Sequence, residues 1–468
     1  MIKLHAGAHD DKPSSQRYEP SERVRLAKPF SRTKQIMLGF LVIILIGSLL
    51  LMLPISTKEG QTTDFSGSLF TSVSATCVTG LVVYDTYTHW TIFGQLVILT
   101  MIQIGGLGLI TITSFAMIIL RWRIGLNSRE LIRESLNTPQ LHGGVRLVRT
   151  IIRGTLLVEG IGALLLSIRF IPQLGFWRGV YYGIFHSISA FCNAGFDLMG
   201  YQGEFSSLTA YATDPLVSIV IMLLILIGGI GFLVWDDILV NKYHFRKYRL
   251  QTKVVLTMSV ILIFGGAFLF FIFENSNLLS DMNFGEKVLA SFFASVTPRT
   301  AGFNTISLSE MTNASKLLTV LFMFIGGCPG STAGGVKVTT IAVIFLYIKS
   351  YLLHTEDCVV FNRRLDKDAI KRASVIIFIN LSLALVMLFI IMATQDFEPL
   401  DVMLEVFSAT GTVGLSAGIT SQLNTVSRTG IMILMYLGRV GSLTFAMSFT
   451  ERRTSGVVRY PEERVIIG

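Results

Sequence analysis

Charged residues are scarce in this chain of 468 residues, of which only 15% are Asp, Glu, Lys or Arg. An average soluble domain carries roughly 25%. Charge is nearly absent from long stretches that match or approach the roughly 20 apolar residues needed to cross a hydrocarbon core. This scarcity excludes a soluble enzyme and predicts an all-α polytopic membrane protein in the lipid bilayer. The stretches are Ile36–Ile55, Thr91–Leu120, Pro215–Val234, Val254–Phe273, Leu317–Val336, Ala373–Thr394 and Gly430–Phe449.

Cysteine is rare as well, and the four cysteines show no paired spacing that would indicate a metal site or a disulfide framework. We therefore predict no cofactor in this chain and no catalytic residue. The net charge of +9 would suggest nucleic-acid binding in a soluble protein. In a membrane protein an excess of Lys and Arg usually reports topology instead, so no nucleic-acid partner is expected.

The basic residues are divided unequally between alternate connecting segments. With the amino terminus placed inside, 29 of the 39 Lys and Arg residues lie on the inner side and six on the outer side. The positive-inside rule then predicts that both termini are cytosolic. Residues 1–34 are expected to form a polar, basic cytosolic tail without the apolar core of a signal peptide, and residues 451–468 a second tail.

The outer segments contain apolar stretches of about ten residues, which are too short to span a membrane. Examples are Phe65–Ala75 and Val180–Ala190. Each is followed by a string containing glycine, and non-helical backbone at membrane depth is tolerated only where it is buried in protein or lines a water-filled path. The predicted unit is therefore a spanning helix, a pore half-helix, a loop and a second spanning helix.

The string after the half-helix occurs four times. Aligned on its glycine, every copy has a large apolar residue directly after the glycine, and three copies have Ser-Ala six and five residues before it. The glycines lie 115, 107 and 112 residues apart, so the chain is a tandem repeat with a nearly constant period. The four copies are Ser74–Leu81, Ser189–Phe196, Val296–Phe303 and Ser408–Leu415.

A second repeated element, a glycine cluster, lies in the helix after each string. Small residues let membrane helices pack closely, and this is the interpretation we favour for the clusters of the first two repeats. Four repeats in one orientation predict a single chain with pseudo-fourfold symmetry about an axis normal to the membrane. The clusters begin at Gly105, Gly228, Gly326 and Gly438.

Four such strings around one axis can form a selectivity filter. Glycine adopts positive φ without steric cost, and rings of carbonyl oxygens can replace the hydration shell of a cation. The half-helices would also direct their partially negative C-terminal ends at the axis. The strings carry no ring of carboxylates, which favours a monovalent cation at the carbonyls of the four glycines. The predicted filter residues are Val78, Thr79, Gly80, Asn193, Ala194, Gly195, Thr300, Ala301, Gly302, Thr412, Val413 and Gly414.

Asp197 lies just beyond the second filter glycine, near the predicted mouth of the pore. A single acid there could concentrate cations. We favour the alternative that Asp197 is an ordinary solvated residue.

The third glycine cluster is unlike the others because it contains proline and continues to residue 337. Proline removes a backbone donor and clustered glycine disfavours helix. In a bilayer such a break is tolerated only beside a cavity. We therefore predict an interrupted helix in the third repeat.

With these motifs the chain resembles the Trk/Ktr/HKT superfamily of potassium and sodium translocating subunits, from about Thr33 to about Thr450. Within the superfamily it is most similar to the bacterial Ktr membrane subunit. The resemblance implies channel-like potassium uptake in a bacterial plasma membrane by a homodimer with one pore per protomer. It also implies a separate cytosolic RCK-type ring that binds nucleotides and controls gating. A serine at the first filter glycine accompanies sodium selectivity in the superfamily, so Gly80 favours potassium, with Na⁺ as a possible activator.

The resemblance also implies a gate. The interrupted stretch corresponds to the family's intramembrane loop under the filter, and Arg439 in the fourth repeat lies at a similar depth. We expect Arg439 to contact carbonyls or hydroxyls of that loop, such as Ser331 or Thr332, and to oppose cation passage; a structural cap on helix ends is the alternative. The predicted gate residues are Gly326, Gly327, Cys328, Pro329, Gly330, Ser331, Thr332, Ala333, Gly334, Gly335, Lys337 and Arg439.

The predicted domain organisation follows the repeats: residues 35–120, 146–240, 250–350 with the gate loop 326–337, and 371–450. Three alternatives remain at this point. The chain could be a Na⁺- or H⁺-coupled K⁺ symporter working by alternating access, which often shows inverted repeats. It could be a sodium-selective relative, or a non-conducting membrane scaffold.

Overall fold

The computed structural model describes residues 32–60, 62–120, 130, 144–355, 357–442 and 445. The predicted carboxyl-terminal tail and residues 1–31 of the amino-terminal tail lie outside these ranges. The described helices are α1 (Arg32–Leu51), α2 (Phe65–Cys77), α3 (Ile92–Leu107), α4 (Leu109–Ile119), α5 (Gly144–Leu174), α6 (Phe176–Phe191), α7 (Pro215–Gly229), α8 (Phe232–Asn241), α9 (Leu250–Glu274), α10 (Phe284–Val296), α11 (Asn313–Phe324), α12 (Val338–Leu352), α13 (Lys367–Thr394), α14 (Pro399–Gly411) and α15 (Thr425–Val440).

A single two-stranded hairpin interrupts the helices of the described chain. Its strands, β1 (Val359–Val360) and β2 (Arg363–Arg364), pair antiparallel between α12 and α13. The fold class is therefore all-α, as the sequence predicts. The order long helix, short helix, string, second helix recurs four times along the chain.

Four helices, α1, α5, α9 and α13, are each long and apolar enough to cross a membrane. Their outward faces are apolar and exposed, as Leu164 on α5 (70% exposed) and Phe378 on α13 (73% exposed) illustrate. An exposed apolar face on a long helix is what a lipid-facing surface requires. The long helices thus form the outer layer around the short ones.

The short helices α2, α6, α10 and α14 are buried near their C-terminal ends. The side chain of Asp64 caps the start of α2 by accepting a hydrogen bond from the Gly67 amide at 2.9 Å. Asn283 and Glu286 form a capping box at the start of α10. These helices begin near the surface and point their C-terminal ends inward, as the half-helix prediction requires.

Two of the helices that follow the strings are bent, those of repeats one and two, where the glycine clusters predicted only close helix packing. The α3–α4 pair bends by 96° and the α7–α8 pair by 93°. Gly108 (φ +84°) and Gly231 (φ +102°) lie at these two breaks, and Gly441, directly after α15, has φ +94°, a region that residues other than glycine rarely adopt. In the third repeat, residues 325–337 separate α11 from α12, which confirms the predicted interruption.

The first and last repeats meet, which closes the bundle. The Tyr436 hydroxyl on α15 donates to the Met37 carbonyl on α1 at 2.9 Å, across 399 residues of sequence. Phe70 and Val73 of α2 pack in the same apolar cluster as Val406 and Ile431 of the fourth repeat. The four short helices are therefore arranged around a common centre.

Candidate ion pathway

The four predicted filter strings share one backbone conformation. Two residues before each glycine, a residue other than glycine has positive φ: Val78 (+57°), Asn193 (+59°), Thr300 (+74°) and Thr412 (+51°). The glycines themselves follow at φ +93°, +71°, +80° and +97°. Positive φ in residues with a Cβ costs of order 1–3 kcal/mol and is concentrated at functional sites. Its recurrence at four equivalent positions is therefore evidence for a built site.

The four glycines converge into a closed ring. A Cβ placed on Gly80 would lie 2.4 Å from the Ala194 carbonyl oxygen, and one on Gly195 would lie 2.8 Å from the Gly302 Cα. A Cβ on Gly302 would lie 2.5 Å from the Val413 carbonyl oxygen, and one on Gly414 2.2 Å from that of Thr79. Each glycine thus touches the next repeat, and only hydrogen fits at these positions.

Hydroxyl groups hold the strings in this conformation. In repeats one and four, the backbone N–H of the filter glycine donates to a serine six residues earlier, Gly80 to Ser74 at 3.1 Å and Gly414 to Ser408 at 3.0 Å. In repeat two the Ser189 hydroxyl donates to the Phe196 carbonyl at 2.6 Å. Thr297 makes the corresponding bond to Phe303 in repeat three. The repeated Ser-Ala therefore supports the filter backbone.

Replacing Ser74 with alanine is expected to destabilise the protein by about 1–3 kcal/mol, because the buried Gly80 N–H would lose its acceptor. The thermal midpoint of unfolding should fall. If the filter binds potassium, adding potassium should raise the midpoint of the variant less than that of the unaltered chain. The matched control is Ser68→Ala on the same helix, since the buried Ser68 hydroxyl has no hydrogen-bond partner among the described residues. Equal losses in the two variants would contradict the support role of Ser74.

A vestibule of about 320 Å³ lies on one side of the ring, and the residues that follow the glycines line it. All four filter glycines line it, together with Asp85 and Asp197. Asp85 is buried and accepts hydrogen bonds from the amides of Thr88 (2.8 Å) and Phe205 (3.0 Å). Burial raises the pKa of Asp197 to about 7. The favoured interpretation of Asp197 as an ordinary solvated residue does not include this position, since the residue lines the vestibule beside the four glycines.

Asp197→Asn is expected to lower cation flux about two- to tenfold at low ionic strength, because a carboxylate at a narrow mouth raises the local cation concentration. The loss should fade at 0.15 M salt and above, where charges are screened within about 8 Å. Glu204→Gln is the control, since Glu204 is exposed and does not line the vestibule. The initial cation flux into vesicles at pH 8 is measured for both variants at low and high salt. A loss in Asp197→Asn that persists at high salt would contradict the electrostatic role.

The predicted gate loop, residues 326–337, lies on the opposite side of the ring. The Thr332 hydroxyl donates to the Phe191 carbonyl at 3.2 Å and lies 3.5 Å from the side-chain amide of Asn193. A Cβ on Gly334 would lie 2.1 Å from the Thr412 hydroxyl oxygen. These partners precede the filter glycines, whereas the vestibule is lined by residues that follow them.

The loop is fixed to neighbouring helices at several points. The Cys328 amide donates to the Gly229 carbonyl at 3.1 Å, and the Gly330 carbonyl accepts from the Phe232 amide at 2.7 Å. The Gly335 amide donates to the Gly438 carbonyl at 3.3 Å. Repeats two and four therefore hold the two halves of the loop, at the glycine clusters of their own second helices.

Two cationic side chains lie inside this arrangement. Lys337 donates to the carbonyls of Ala333 (2.7 Å) and Gly334 (3.1 Å), within the loop itself. Arg439 donates to the Thr332 carbonyl, a partner that the sequence predicted. It also donates to the carbonyls of Gly105 and Gly106 in the first repeat. The expected contact to Ser331 is absent from the described hydrogen bonds of Arg439, since the Ser331 hydroxyl donates to the Cys328 carbonyl at 2.7 Å instead.

Sequence reasoning missed two features of the site. The bridge from Arg439 to the first repeat joins residues more than 330 positions apart, and no local motif indicates it. The glycine clusters pack against the short helices as expected, because a Cβ on Gly105 would lie 2.0 Å from the Thr76 carbonyl oxygen and one on Gly228 1.9 Å from that of Phe191. The second missed feature is the bend at Gly108 and at Gly231, because one glycine in an apolar helix is also compatible with a continuous span.

Fold and site together define a polytopic membrane protein with four equivalent strings converging on one axis. A family model described as "TrkH: Cation transport protein" matches residues 11–457. The chain belongs to this family of cation transport proteins, which confirms the resemblance inferred from its motifs; it is a transporter and not an enzyme.

Curated relatives and solved structures agree with this assignment. The Ktr system potassium uptake protein B of Bacillus subtilis is 40% identical over 441 residues, covering 94% of this chain and 97% of that protein. The potassium/sodium uptake protein NtpJ of Enterococcus hirae is 38% identical over 452 residues, covering 95% and 99%. The crystal structure of the potassium transporter TrkH from Vibrio parahaemolyticus has the same fold, with a TM-score of 0.71 at 17% identity over 92% of this chain and 87% of that one.

Proposed function

We propose that the chain is the pore-forming subunit of a channel-like potassium uptake system. The observation that carries this proposal is the ring of four glycines, each at positive φ and each in contact with the next repeat, at the base of an open vestibule. Relatives named for potassium uptake cover more than nine tenths of the chain at 38–40% identity. Potassium is the ion that both names share.

The filter would act through its backbone. Along each string positive φ alternates with negative φ, since the residues between the two positive positions are Thr79, Ala194, Ala301 and Val413. This alternation directs successive carbonyls toward the axis, where they can replace water around a dehydrated cation. The short helices add the partial negative charge of their C-terminal ends. Both effects favour a monovalent cation and disfavour anions.

The gate would act on the opposite side of the filter. The loop 326–337 crosses beneath the strings, and Arg439 fastens its second half, at Thr332, to the first repeat. A guanidinium beside the path also opposes a passing cation directly. Opening then requires the loop to leave Phe191, Asn193 and Thr412, and Arg439 to release the Thr332 carbonyl.

Regulation would come from outside the chain. We place both termini and the basic linkers in the cytosol of a bacterial cell, with the exposed β1–β2 hairpin and its Arg363 and Arg364 on that face. A basic cytosolic surface suits a separate nucleotide-binding ring of the RCK type, and two copies of the chain would form the homodimer to which it docks. Na⁺ would act as an activator.

Ion flux in proteoliposomes that contain only the purified chain tests this proposal. Potassium and rubidium flux well above sodium and lithium flux is the expected result. Equal flux of all four ions would exclude a selective filter, and sodium flux above potassium flux would make the chain a sodium-selective relative. The sodium arm is informative because one relative is named a potassium/sodium uptake protein.

A further inference from the structure

The third filter string contains a buried arginine that the proposed filter and gate leave without a role. Three residues before the filter glycine, the other repeats have small neutral residues, Cys77, Cys192 and Gly411, whereas the third has Arg299. The Arg299 side chain is only 7% exposed. The one repeat with a charge at this position is also the one whose second helix is interrupted by the gate loop.

The guanidinium of Arg299 is far from saturated with partners. Its Nη2 donates to the Ser259 hydroxyl on α9 at 3.1 Å. Its Nε and Nη1 groups have no hydrogen-bond partner among the described residues. The ion pairs of the described part of the chain do not include it either. A buried charge without a carboxylate is costly, and an ionisable group inside a membrane protein is by default a functional one.

Ser259 connects this arginine to the gate loop. Its hydroxyl lies 3.9 Å from the Cys328 sulfur, within hydrogen-bond distance for that atom. Cys328 is fully buried and anchors the first half of the loop, because its amide donates to Gly229 and its carbonyl accepts from Ser331. Arg299, Ser259 and Cys328 therefore form one chain of contacts from the filter string through α9 to the loop.

We propose that Arg299 is a positioning residue that holds the closed gate loop against the third filter string through Ser259 and Cys328. The inference rests on the proposed gate, and it assigns the loop a fastening separate from Arg439. Arg439 holds the second half of the loop at Thr332; the Arg299 chain holds the first half at Cys328. Loss of either fastening frees a different part of the loop.

The test measures both flux and thiol exposure in proteoliposomes of the full chain. Arg299→Gln is expected to raise the resting potassium flux several-fold and to speed maleimide labelling of Cys328, which peptide mass spectrometry assigns separately from Cys77 and Cys192. Ser259→Ala should change both readouts in the same direction, and combining it with Arg299→Gln should add little. In a chain with the gate loop deleted, Arg299→Gln should leave flux unchanged.

Ser295→Ala is the matched control. The Ser295 hydroxyl joins the third short helix to the same α9, donating to the Ile263 carbonyl at 2.8 Å. Its hydrogen bonds within the described part of the chain, to Leu262 and Ile263, do not reach the loop. Faster Cys328 labelling in Ser295→Ala as well, or an equal flux change in the loop-deleted chain, would overturn the proposal by showing a general packing role. If Arg299→Gln does not fold, Ser259→Ala decides alone, and unchanged labelling in it overturns the proposal.

The labelling readout separates this inference from the proposed function. A wild-type chain without selective flux would refute the potassium pore. Cys328 labelling would still report whether Arg299 fastens the loop.

Discussion

Arg439→Ala is expected to raise the resting cation flux of the purified chain by about tenfold or more. The side chain fastens the Thr332 carbonyl of the proposed gate loop to Gly105 and Gly106 of the first repeat. Its charge also repels a cation that passes within about 5 Å by about 3 kcal/mol at an effective dielectric constant of 20. Since each 1.4 kcal/mol is a factor of ten in rate, removing either effect gives a clear increase.

Arg428→Ala is the control for this substitution. Arg428 lies on the same helix, α15, eleven residues before Arg439 and near the start of that helix, where it contacts the Leu423 carbonyl. It carries the same charge but does not touch the loop, and its loss should leave resting flux unchanged. Deleting the loop should reproduce the effect of Arg439→Ala. Unchanged flux in both the deletion and Arg439→Ala would remove the gate assignment.

Gly80→Ser is expected to lower the ratio of potassium to sodium flux by about tenfold or more, which corresponds to about 1.4 kcal/mol of lost discrimination. A Cβ at this position would lie 2.4 Å from the Ala194 carbonyl oxygen and 3.2 Å from the Gly195 Cα. The two strings must separate or rotate to admit it, and the carbonyl ring is then no longer spaced for one ion. Competitive flux of the two ions in vesicles measures the ratio.

Gly418→Ser separates ring geometry from backbone strain. Gly418 also lines the vestibule and has φ +97°, so serine there is strained to a similar degree. No atom lies within 4 Å of a Cβ at this position, however. The potassium preference should survive in Gly418→Ser and fall in Gly80→Ser. Equal losses would indicate that strain, and not the ring, determines selectivity.

The four repeats and the interruption of the second helix in the third repeat could be predicted from the sequence. The four strings could be found because glycine and a following apolar residue recur in all four and Ser-Ala recurs in three. Residues 326–337 could be found because proline and five glycines are incompatible with helix. The all-α fold followed from the long uncharged stretches. These signals are local, so they can be recognised without any knowledge of tertiary packing.

The bends at Gly108 and Gly231 could not be inferred in the same way. One glycine in an apolar helix costs only about 1 kcal/mol and is compatible with a continuous span. The contact of Arg439 with the first repeat and that of Arg299 with Ser259 were also out of reach, because these partners lie far away in sequence or on another helix. Which arginine side chain holds which part of the loop depends on the tertiary packing of the repeats.

The central claim is that potassium passes through a pore down its own electrochemical gradient. The most direct test sets a potassium gradient against an opposing sodium or proton gradient in proteoliposomes of the purified chain and measures the direction of net potassium movement. We predict that potassium always moves down its own gradient and reverses when that gradient is reversed, with sodium changing only the rate. Potassium accumulation against its gradient, driven by sodium or protons, would contradict the pore and establish a coupled symporter.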